Sequence, residues 1–388
     1  MGSAYTRMHV YDRKDGIPGG FRAAASLHCH TYHSKEVMTF IPHYAEMIPF
    51  IASRFRKGME RHLFLHGKSI DFSKAYWTPP VSPRQVIEIE TLQIEKELGL
   101  PALVSITDHD DIEAGKHLQV LTGVNRIPIS LEWTVPYGRG MFHLGIHNLS
   151  DETSTDITRE LNKYTLRDPD AMSLTSLLSI LNESSETMII VNHPLWDIEG
   201  LGEKDHAENL HSFLTEHGQW IHALEVNGFR SWSENRSVMR LAEDWGVPAV
   251  GGGDRHGCRP NTVLNLTRAS SFNDLVAEIR EDAHSEILLM PEYRAPFVAR
   301  TFETIAEVLR FYPNHSLGQT RWVDRVFADI GDGHGVCPLS RFWGDGGPGW
   351  LRATLWCMRV LGSSRMQTAL RLALAHEKVV TERMGYES

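Results

Sequence analysis

A recurring design constrains this chain most: short apolar runs end in histidine, aspartate or glutamate. The first instance is the alanine run at 23–25, which leads into His28 and His30. Because alternate residues of a strand point to the same side, His28 and His30 would offer two imidazoles to one point in space. The design recurs at 105–110, 129–132, 189–194 and 251–256. These strand ends predict a metal site at one rim of a sheet or barrel.

Helical and strand-like segments alternate along most of the chain, which is typical of a parallel α/β sheet or barrel. Pro83 opens a helix, and Gly99 and Pro101 end it. The predicted helix and strand pairs are 83–98 with 102–106, 172–182 with 188–192, 206–217 with 222–227, 235–245 with 248–251, and 272–281 with 286–289. Two further strands, at 126–131 and 141–147, are predicted across a turn. In barrels the carboxyl ends of the strands carry the active site.

Three segments fall outside this alternation. Residues 1–22 are polar and are predicted to be a lead-in. The segment at about 37–81 shows no obvious strand, and we predict a helical insertion at the active-site rim because it follows the first strand. Beyond residue 296 the pattern changes to helices, predicted at 297–312 and 350–379. This C-terminal extension would pack on the barrel, support a lid or form contacts between copies of the chain.

The insertion carries a basic patch in an otherwise acidic protein. Residues 51–74 contain six lysines and arginines but only two acidic residues, Glu60 and Asp71. The patch is either a solvated helix face or a lid that faces an anion. Arg54 and Arg61 are therefore candidates for binding substrate phosphate.

Composition excludes several classes of protein. The formal net charge of −10 argues against a scaffold that binds nucleic acid through a general positive field. No apolar run approaches the roughly 18–20 residues needed to cross a membrane. The four cysteines show neither CxxC spacing nor a disulfide framework. A reducing cytoplasm is the simplest compartment for such a chain.

The candidate ligands combine imidazoles and carboxylates, a set that suits zinc, manganese or iron better than calcium. In chain order they are His28, His30, Asp108, His109, Asp110, Glu132, His193, Asp254 and His256. One ion needs fewer ligands than this, so two or three divalent metal ions are implied.

The ordered motifs resemble the polymerase and histidinol phosphatase (PHP) family of metal-dependent phosphoesterases. They are HxHTxxS at 28–34, TDHD at 107–110, Glu132, a histidine within 142–145, HP at 193–194 and GGDxH at 252–256. The resemblance covers roughly residues 23–290. It implies a distorted (β/α)7 barrel, assigned here to 23–295, that holds two or three metals.

The resemblance also implies a ligand set. The first metal would be bound by His28, His30, Glu132 and Asp254, the second by Glu132 as a bridge with His143 and His193, and the third by His109 and His256. The family places a histidine or aspartate just after the motif serine, where this chain has Lys35 and Glu36. Glu36 could act as an oxygen ligand instead, and Lys35 could contact a substrate phosphate.

Several assignments stay open at the level of sequence. His147 competes with His143, since both would point to one face of a strand. Asp108 and Asp110 are expected to orient a neighbouring imidazole or to cap the following helix. Asn227, at another strand end, is a further candidate for substrate contact.

Two arginines near the last motif are predicted to differ in role. Arg255 lies between two candidate ligands and would point to the opposite face of an extended segment, where it would support the site from behind. Arg259 is a candidate for binding substrate phosphate.

The ligand set predicts hydrolysis of a phosphate ester. Metals acidify a bound water and stabilise the attacking and leaving oxygens, and phosphoryl transfer gains most from such a cluster. We predict that His109, His256 and Asp254 carry catalysis, with either histidine protonating the leaving group if the third site is empty. A small phosphorylated substrate, and a phosphomonoester in particular, is favoured because an extended nucleic acid would need a broader positive groove.

Other functions remain open. The same site could cleave phosphodiesters as a phosphodiesterase or nuclease, or hydrolyse an amide or lactone. A third alternative is a catalytically inactive module with a structural or regulatory role. Retention of clustered carboxylates and imidazoles argues against an inactive module.

Overall fold

The apolar runs of the sequence form strands, and most of the segments between them form helices. The computed structural model describes residues 4–47, 49–122, 127–167, 170–344 and 346–374. The strands are β1 (Tyr5–Val10), β2 (Ala23–Ser26), β3 (Glu36–Val37), β4 (Tyr76–Trp77), β5 (Ala102–Val104), β6 (Ile129–Tyr137), β7 (Gly140–Leu149), β8 (Met188–Asn192), β9 (Ala223–Asn227), β10 (Ala249–Gly252), β11 (Val263–Thr267), β12 (His284–Leu289), β13 (Val326–Ala328) and β14 (Cys337–Pro338).

The α-helices cover the sheets and extend beyond them. They are α1 (Phe40–Met47), α2 (Pro49–His66), α3 (Pro83–Gln93), α4 (Glu113–Thr122), α5 (Asp151–Thr165), α6 (Ala171–Glu183), α7 (Glu203–His217), α8 (Trp232–Trp245), α9 (Phe272–Arg280), α10 (Phe297–Val308), α11 (Gly349–Leu361) and α12 (Ser364–Ala373). None of the helices that the structure describes is both long and apolar enough to cross a membrane.

Ten of the described strands form two sheets of five strands each. Their orders are β1-β12-β11-β2-β5 and β10-β9-β8-β7-β6. The predicted parallel pairing holds for β8, β9 and β10 and for β2 with β5. It fails for β7 with β8, which are antiparallel. The turn predicted between the strands at 126–131 and 141–147 is confirmed, because it joins β6 and β7 as an antiparallel pair. β11, where no strand was predicted, is antiparallel to both neighbours. A mixed α/β architecture is therefore present.

The predicted barrel is not observed as one closed sheet. Among the described residues, the two sheets meet at one edge through a single bridge between His109 and Glu132. At the β10 edge of the second sheet, the side-chain amide of Asn265 of β11 accepts from Gly251 N–H at 2.7 Å and donates to Gly251 C=O at 2.7 Å. β11 lies inside the first sheet, where its backbone pairs with β12 and β2, so it meets β10 through this side chain and not through a ladder.

Two strands of the first five-stranded sheet lie where the sequence did not predict them. The segment 1–22 is not merely a lead-in, because Tyr5–Val10 pairs in parallel with β12 along its whole length. This edge strand is only partly buried, and its apolar residues Met8 and Val10 pack on the core. The fully buried strand Val263–Thr267 was also missed.

The predicted helix at 83–98 ends its α-helical part at Gln93 and continues as one π-helical turn, Ile94–Leu98. Gly99 then ends it with a φ of 67°, a conformation that glycine adopts without strain. The predicted helix at 350–379 is two helices, which separate around Gly362. A Cβ there would lie 2.3 Å from the carbonyl oxygen of Phe302. Residues 375–379 of that prediction lie outside the described residues.

The insertion contains strands after all, because β3 and β4 bracket its helices. They join β13 and β14 in a small sheet ordered β14-β13-β4-β3. The insertion and the C-terminal extension therefore share a sheet next to the end of β2.

Candidate metal centre

The carboxylate of Glu132 lies at the centre of a buried group of imidazoles. Its side chain is 1% exposed. Its Oε2 atom lies 3.1 Å from Nε2 of His28, 3.4 Å from Nε2 of His30 and 3.2 Å from Nε2 of His109. Three predicted ligands therefore face one oxygen of a single carboxylate.

The other oxygen of Glu132 faces a second set of side chains. Oε1 lies 3.2 Å from Nε2 of His193 and 3.3 Å from Nδ1 of His143. It also accepts a hydrogen bond of 2.9 Å from the side-chain amide of Asn192, a residue that the sequence analysis did not single out. Glu132 thus separates two groups of ligand atoms, as a bridging carboxylate would.

Asp254 joins the group that contains His28 and His30. Its Oδ1 atom lies 3.7 Å from Nε2 of His28, 3.6 Å from Nε2 of His30 and 3.4 Å from Nδ1 of His256. Asp254 follows β10, as the sequence pattern predicted.

Glu36 approaches the same centre from the insertion. Its Oε2 atom lies 3.2 Å from Nε2 of His109 and 3.1 Å from Nε2 of His256. Oε1 accepts a hydrogen bond of 2.6 Å from the hydroxyl of Ser34. The oxygen-ligand alternative for Glu36 is therefore geometrically available.

Four sets of three side chains place their ligand atoms within 4.8 Å of one another. They are His28 with His30 and Asp254, His28 with Glu132 and His193, His30 with His109 and Glu132, and His30 with Glu36 and His256. These sets overlap, so the side chains form one continuous cluster.

The backbone explains how His28 enters this cluster. The reason given from sequence, alternation along a strand, is wrong because β2 ends at Ser26. His28 instead has a φ of 65°, and the ring centroids of His28 and His30 lie 5.0 Å apart. His193 and Asp254 also have positive φ values, 29° and 54°. Such backbone is costly for non-glycine residues and is typically found at functional sites.

The residues fit divalent metal ions. Nε2 of His28, Nε2 of His30 and Nδ1 of His143 are buried and lack hydrogen-bond partners among the described residues. Leaving such atoms unsatisfied costs free energy, typically about 1–3 kcal/mol each. Bound metal ions would use these atoms as ligands, and the mixture of imidazole and carboxylate suits zinc, manganese or iron.

The pKa values of the imidazoles in this cluster are shifted in opposite directions. Burial disfavours charge on His109, but the carboxylates of Glu36 and Glu132 outweigh burial and raise its pKa to about 10. Burial lowers the pKa of His143 to about 4, despite the nearby Glu132. Burial and the neighbouring His256 lower the pKa of His30 to about 4 as well. Neutral imidazole is the form that binds a metal.

Glu225 supports the cluster from behind, and the sequence analysis missed this role. Its Oε1 atom lies 2.5 Å from Nδ1 of His28, and Oε2 accepts from the backbone N–H of His193 at 2.8 Å. The available signal was a carboxylate in the middle of an apolar strand. Asn227 donates to Glu225 at 2.8 Å and to Asp254 at 3.4 Å, so it lies within this buried network.

Other neighbours of the ligands differ from expectation. The carboxylate of Asp108 accepts from the backbone N–H and the hydroxyl of Thr31, and that of Asp110 accepts from the N–H of Thr134. Neither carboxylate orients an imidazole through these bonds or caps the following helix. Each instead ties a rim segment to its neighbour, because these backbone donors lie within reach of the buried carboxylates.

The competition between two histidines of β7 is resolved by their neighbours. His143 contacts Glu132, whereas Nδ1 of His147 lies 2.8 Å from the hydroxyl of Ser105. They point to the same face of β7, but His147 lies four residues further along the strand, away from the rim.

The candidate phosphate-binding residues lie at different places. Lys35 is exposed, with its ammonium 5.7 Å from the centre of the Tyr76 ring. Arg54 and Arg61 are exposed on α2. The geometry does not favour Arg259, whose guanidinium is held by the carboxylates of two glutamates of α10.

Arg255 was predicted to support the site from behind, and its side chain packs against a buried glutamate. Its side chain is 9% exposed, and its Nε atom lies 3.6 Å from Oε1 of the buried Glu90.

Two tryptophans flank the cluster: the ring of Trp77 lies 5.5 Å from that of His256, and the ring of Trp196 lies 5.0 Å from that of His193.

No family model matches this chain, and no curated protein matches it. Among solved structures, PsfC from Pseudomonas syringae is 16% identical, with a TM-score of 0.37 over 54% of this chain and 83% of that one. A protein from Bifidobacterium adolescentis, provisionally described as a metal-dependent phosphoesterase, is 14% identical, with a TM-score of 0.34 over 52% and 91%. The lesion-specific endonuclease PfuEndoQ from Pyrococcus furiosus is 12% identical, with a TM-score of 0.37 over 68% and 57%. At these TM-scores the likenesses carry no assignment.

Proposed function

We propose that this protein is a metal-dependent hydrolase of the PHP type that cleaves a small phosphomonoester with two or three zinc, manganese or iron ions. The observation that carries the proposal is the position of Glu132. One of its oxygens faces three imidazoles and the other faces two. Ions held there would acidify a water and neutralise charge that develops on phosphoryl oxygens.

The residues divide among three proposed subsites. His28, His30 and Asp254 hold the first ion, His143 and His193 hold the second, and Glu36, His109 and His256 hold the third, with Glu132 as the bridge between the first and second. The set of His28, His30 and Asp254 supports the first subsite, the contacts of Glu132 with His143 and His193 support the second, and those of Glu36 with His109 and His256 support the third.

Proton transfer to the leaving oxygen is assigned to His109 or His256 when the third ion is absent. Their side chains are 12% and 14% exposed, more than the 1% of His28 and the 2% of His193. A proton donor has to reach both substrate and solvent, so these two imidazoles suit the role better than the buried ones. Asp254 has the separate role of keeping the cluster assembled.

Substrate binding is assigned to the insertion. Lys35 directly precedes Glu36, which places a cation next to the cluster, and Arg54 and Arg61 add positive charge on α2. The proposed domain division is a hydrolase unit at 23–295, with its insertion at about 37–81, and a C-terminal extension at 296–388. A small substrate is favoured over nucleic acid because the chain has a net charge of −10. Self-association through α11 and α12 is also proposed, since Trp356 is 64% exposed.

The test is phosphate release by manganese-reconstituted protein from nucleotides, sugar phosphates and aryl mono- and diesters. Asp254→Asn runs as the control, with metal content measured for both proteins. Release from a monoester that the variant loses supports the proposal. Cleavage of diesters alone moves the assignment to a phosphodiesterase or nuclease.

A second candidate is hydrolysis of an amide or lactone by the same centre. The contacts of Glu36, Glu132 and Asp254 at the cluster are with histidines, and such a ligand set can activate water against an amide or lactone as well as against a phosphate ester. Metal-loaded protein that releases no phosphate from any ester, but opens a lactone or cleaves an amide, would replace the phosphatase assignment with this one. A chain that binds no metal would favour the inactive module.

A further inference from the structure

The loop that follows His256 is fastened to helix α10 of the C-terminal extension. The buried carboxylate of Glu307 accepts from the backbone N–H of Cys258 at 3.0 Å through Oε2 and from Nε of Arg259 at 2.9 Å through Oε1. The packing is close, because a Cβ on Gly257 would lie 2.5 Å from Oε2 of Glu307. Glu307 therefore fixes the backbone two residues beyond His256.

The strand that carries Glu36 is fastened to the same extension from another side. In the small sheet, Trp77 of β4 pairs with Glu36 of β3 on one side and with Val326 of β13 on the other. Phe327 stacks on Tyr76 of β4, with ring centroids 4.9 Å apart. Glu36 is thus held by a strand whose outer partner belongs to the extension.

A buried arginine connects these two attachments. Arg325, which is 1% exposed, precedes β13 and donates to the backbone carbonyls of Val308 at 2.5 Å, Arg310 at 3.2 Å and Gln319 at 2.9 Å. Val308 is the last residue of α10. Helix α10, which holds the His256 loop, and strand β13, which pairs with β4, are therefore linked to each other through Arg325.

We infer that the C-terminal extension positions the subsite of Glu36, His109 and His256, with Glu307 as the main positioning residue. This inference rests on the proposed function, because it requires that these three side chains hold an ion. His28, His30 and His193 belong to loops that α10 does not hold through these contacts. The extension therefore acts most directly on the affinity for the ion of this subsite. The other ions are affected less, because the His256 loop reaches the backbones of His28 and His30 only through Arg255.

The experiment is titration of the full chain with Mn²⁺ by equilibrium dialysis, with bound equivalents counted. Glu307→Ala is expected to weaken one equivalent by roughly 10–100-fold, the range found when groups that support metal ligands are removed. Glu303→Ala is the matched control, since Glu303 lies on the same helix and contacts Arg259. Among the described residues, Glu303 forms no hydrogen bond with the loop backbone. Glu307→Gln is expected to restore binding, because its amide oxygen can still accept from Cys258 N–H.

A second pair of variants tests the other attachment. Phe327→Ala removes the ring stacked on Tyr76 and should weaken the same single equivalent. Phe311→Ala, at a 58% exposed position of the extension, should leave all equivalents unchanged. If Glu307→Ala does not fold, Glu307→Asp replaces it, because its shorter side chain withdraws the carboxylate from Cys258 N–H.

Glu36→Gln separates failure of this inference from failure of the proposed subsite. If Glu36→Gln loses one equivalent while Glu307→Ala and Phe327→Ala lose none, the positioning role is overturned and the subsite stands. If Glu36→Gln loses none, the subsite itself is wrong and the inference falls with it. Equal losses in Glu307→Ala and Glu303→Ala would also overturn the role of Glu307.

Discussion

Nδ1 of His28 lies 2.5 Å from Oε1 of Glu225, and the opposite nitrogen of the same ring lies 3.1 Å from Oε2 of Glu132. The His28 imidazole therefore lies between a carboxylate that fixes its orientation and a carboxylate of the candidate metal centre. Proteins commonly orient metal-binding histidines in this way.

Glu225→Gln is expected to lower the affinity for Mn²⁺ by roughly 10–100-fold. The substitution weakens the acceptor for His28 and the acceptor for the His193 backbone. Equilibrium dialysis measures the effect. Glu234→Gln, which alters a carboxylate paired with Arg230, is the control and should bind metal like the wild type. Unchanged affinity in Glu225→Gln would show that Glu225 does not orient His28.

Gly252→Ala is expected to disturb the same contact from the neighbouring strand. A Cβ at position 252 would lie 1.7 Å from Oε1 of Glu225, so either the strand or the carboxylate has to move. We expect a lower melting temperature together with weaker metal binding, measured by calorimetry and dialysis. Gly58→Ala, where a Cβ would meet nothing within 4 Å, should leave metal binding unchanged and should not lower the melting temperature, because alanine favours the interior of a helix more than glycine does. Normal metal binding in Gly252→Ala would show that the carboxylate accommodates the methyl group.

His143→Asn and His147→Asn should separate ligand from structural roles. His143 faces Glu132, so its substitution should remove one metal equivalent and reduce activity strongly. His147 bonds Ser105 inside the fold, so its substitution should lower the free energy of unfolding but leave the metal count unchanged. Elemental analysis and denaturant titration distinguish these outcomes. The opposite pattern would assign the ligand role to His147.

His222 is expected to make folding sensitive to acid. Its Nδ1 atom accepts from Ile189 N–H at 2.9 Å, and burial together with Arg280 lowers its pKa to about 3. The unfolded pKa is about 6.5. The stabilisation from the neutral ring is therefore complete above pH 6.5 and is lost progressively as the pH falls towards 3.

Between pH 7 and pH 5 the wild type should lose about 2 kcal/mol more stability than His222→Gln, which cannot titrate. Urea titrations at both pH values measure this difference. His334→Gln, at an exposed histidine, should follow the wild-type pH profile. Parallel profiles for the wild type and His222→Gln would contradict the assignment.

Lys35→Met is expected to raise KM for a phosphomonoester at least several-fold with a smaller change in kcat, since an exposed cation beside the cluster would bind the substrate phosphate. Steady-state kinetics on the substrate found by the panel measures both constants. Lys57→Met, which removes an exposed charge from α2, is the control. A loss confined to kcat would place Lys35 in the chemical step instead of in substrate binding.

Much of the cluster was predictable because its residues follow local patterns. Short apolar runs ended by His28, His193 and Asp254 identify regions where strands end, and strand ends of an α/β protein converge at one rim. Glu132 also ends an apolar run, but it lies within β6 and not at its end. The ligand chemistry follows from the residue types alone. The ligand roles themselves stay predictions until metal binding is measured.

Local sequence patterns did not predict elements whose structure depends on pairing with distant parts of the chain. The edge strand β1 is partly exposed and polar, so its pairing with β12 leaves little periodic signal. Glu36 was predicted as an alternative ligand only from its place after the motif serine, and the pairing of β3 with β4 is what the sequence did not show. The predicted closed barrel is not observed among the described residues, because periodicity does not reveal which strands pair: β11 lies inside the first sheet and meets β10 through the side chain of Asn265.

The sequence by itself determined the chemical inventory of this protein: imidazoles and carboxylates at the ends of buried strands, in an order that resembles a metal-dependent phosphoesterase. Only the tertiary structure decided which groups meet. Glu225 reaches His28 across 197 residues of chain, and Glu307 reaches Cys258 across 49. The physical reason is that residue types and short spacings are local properties, whereas a contact between distant residues depends on how all the packed elements share the core.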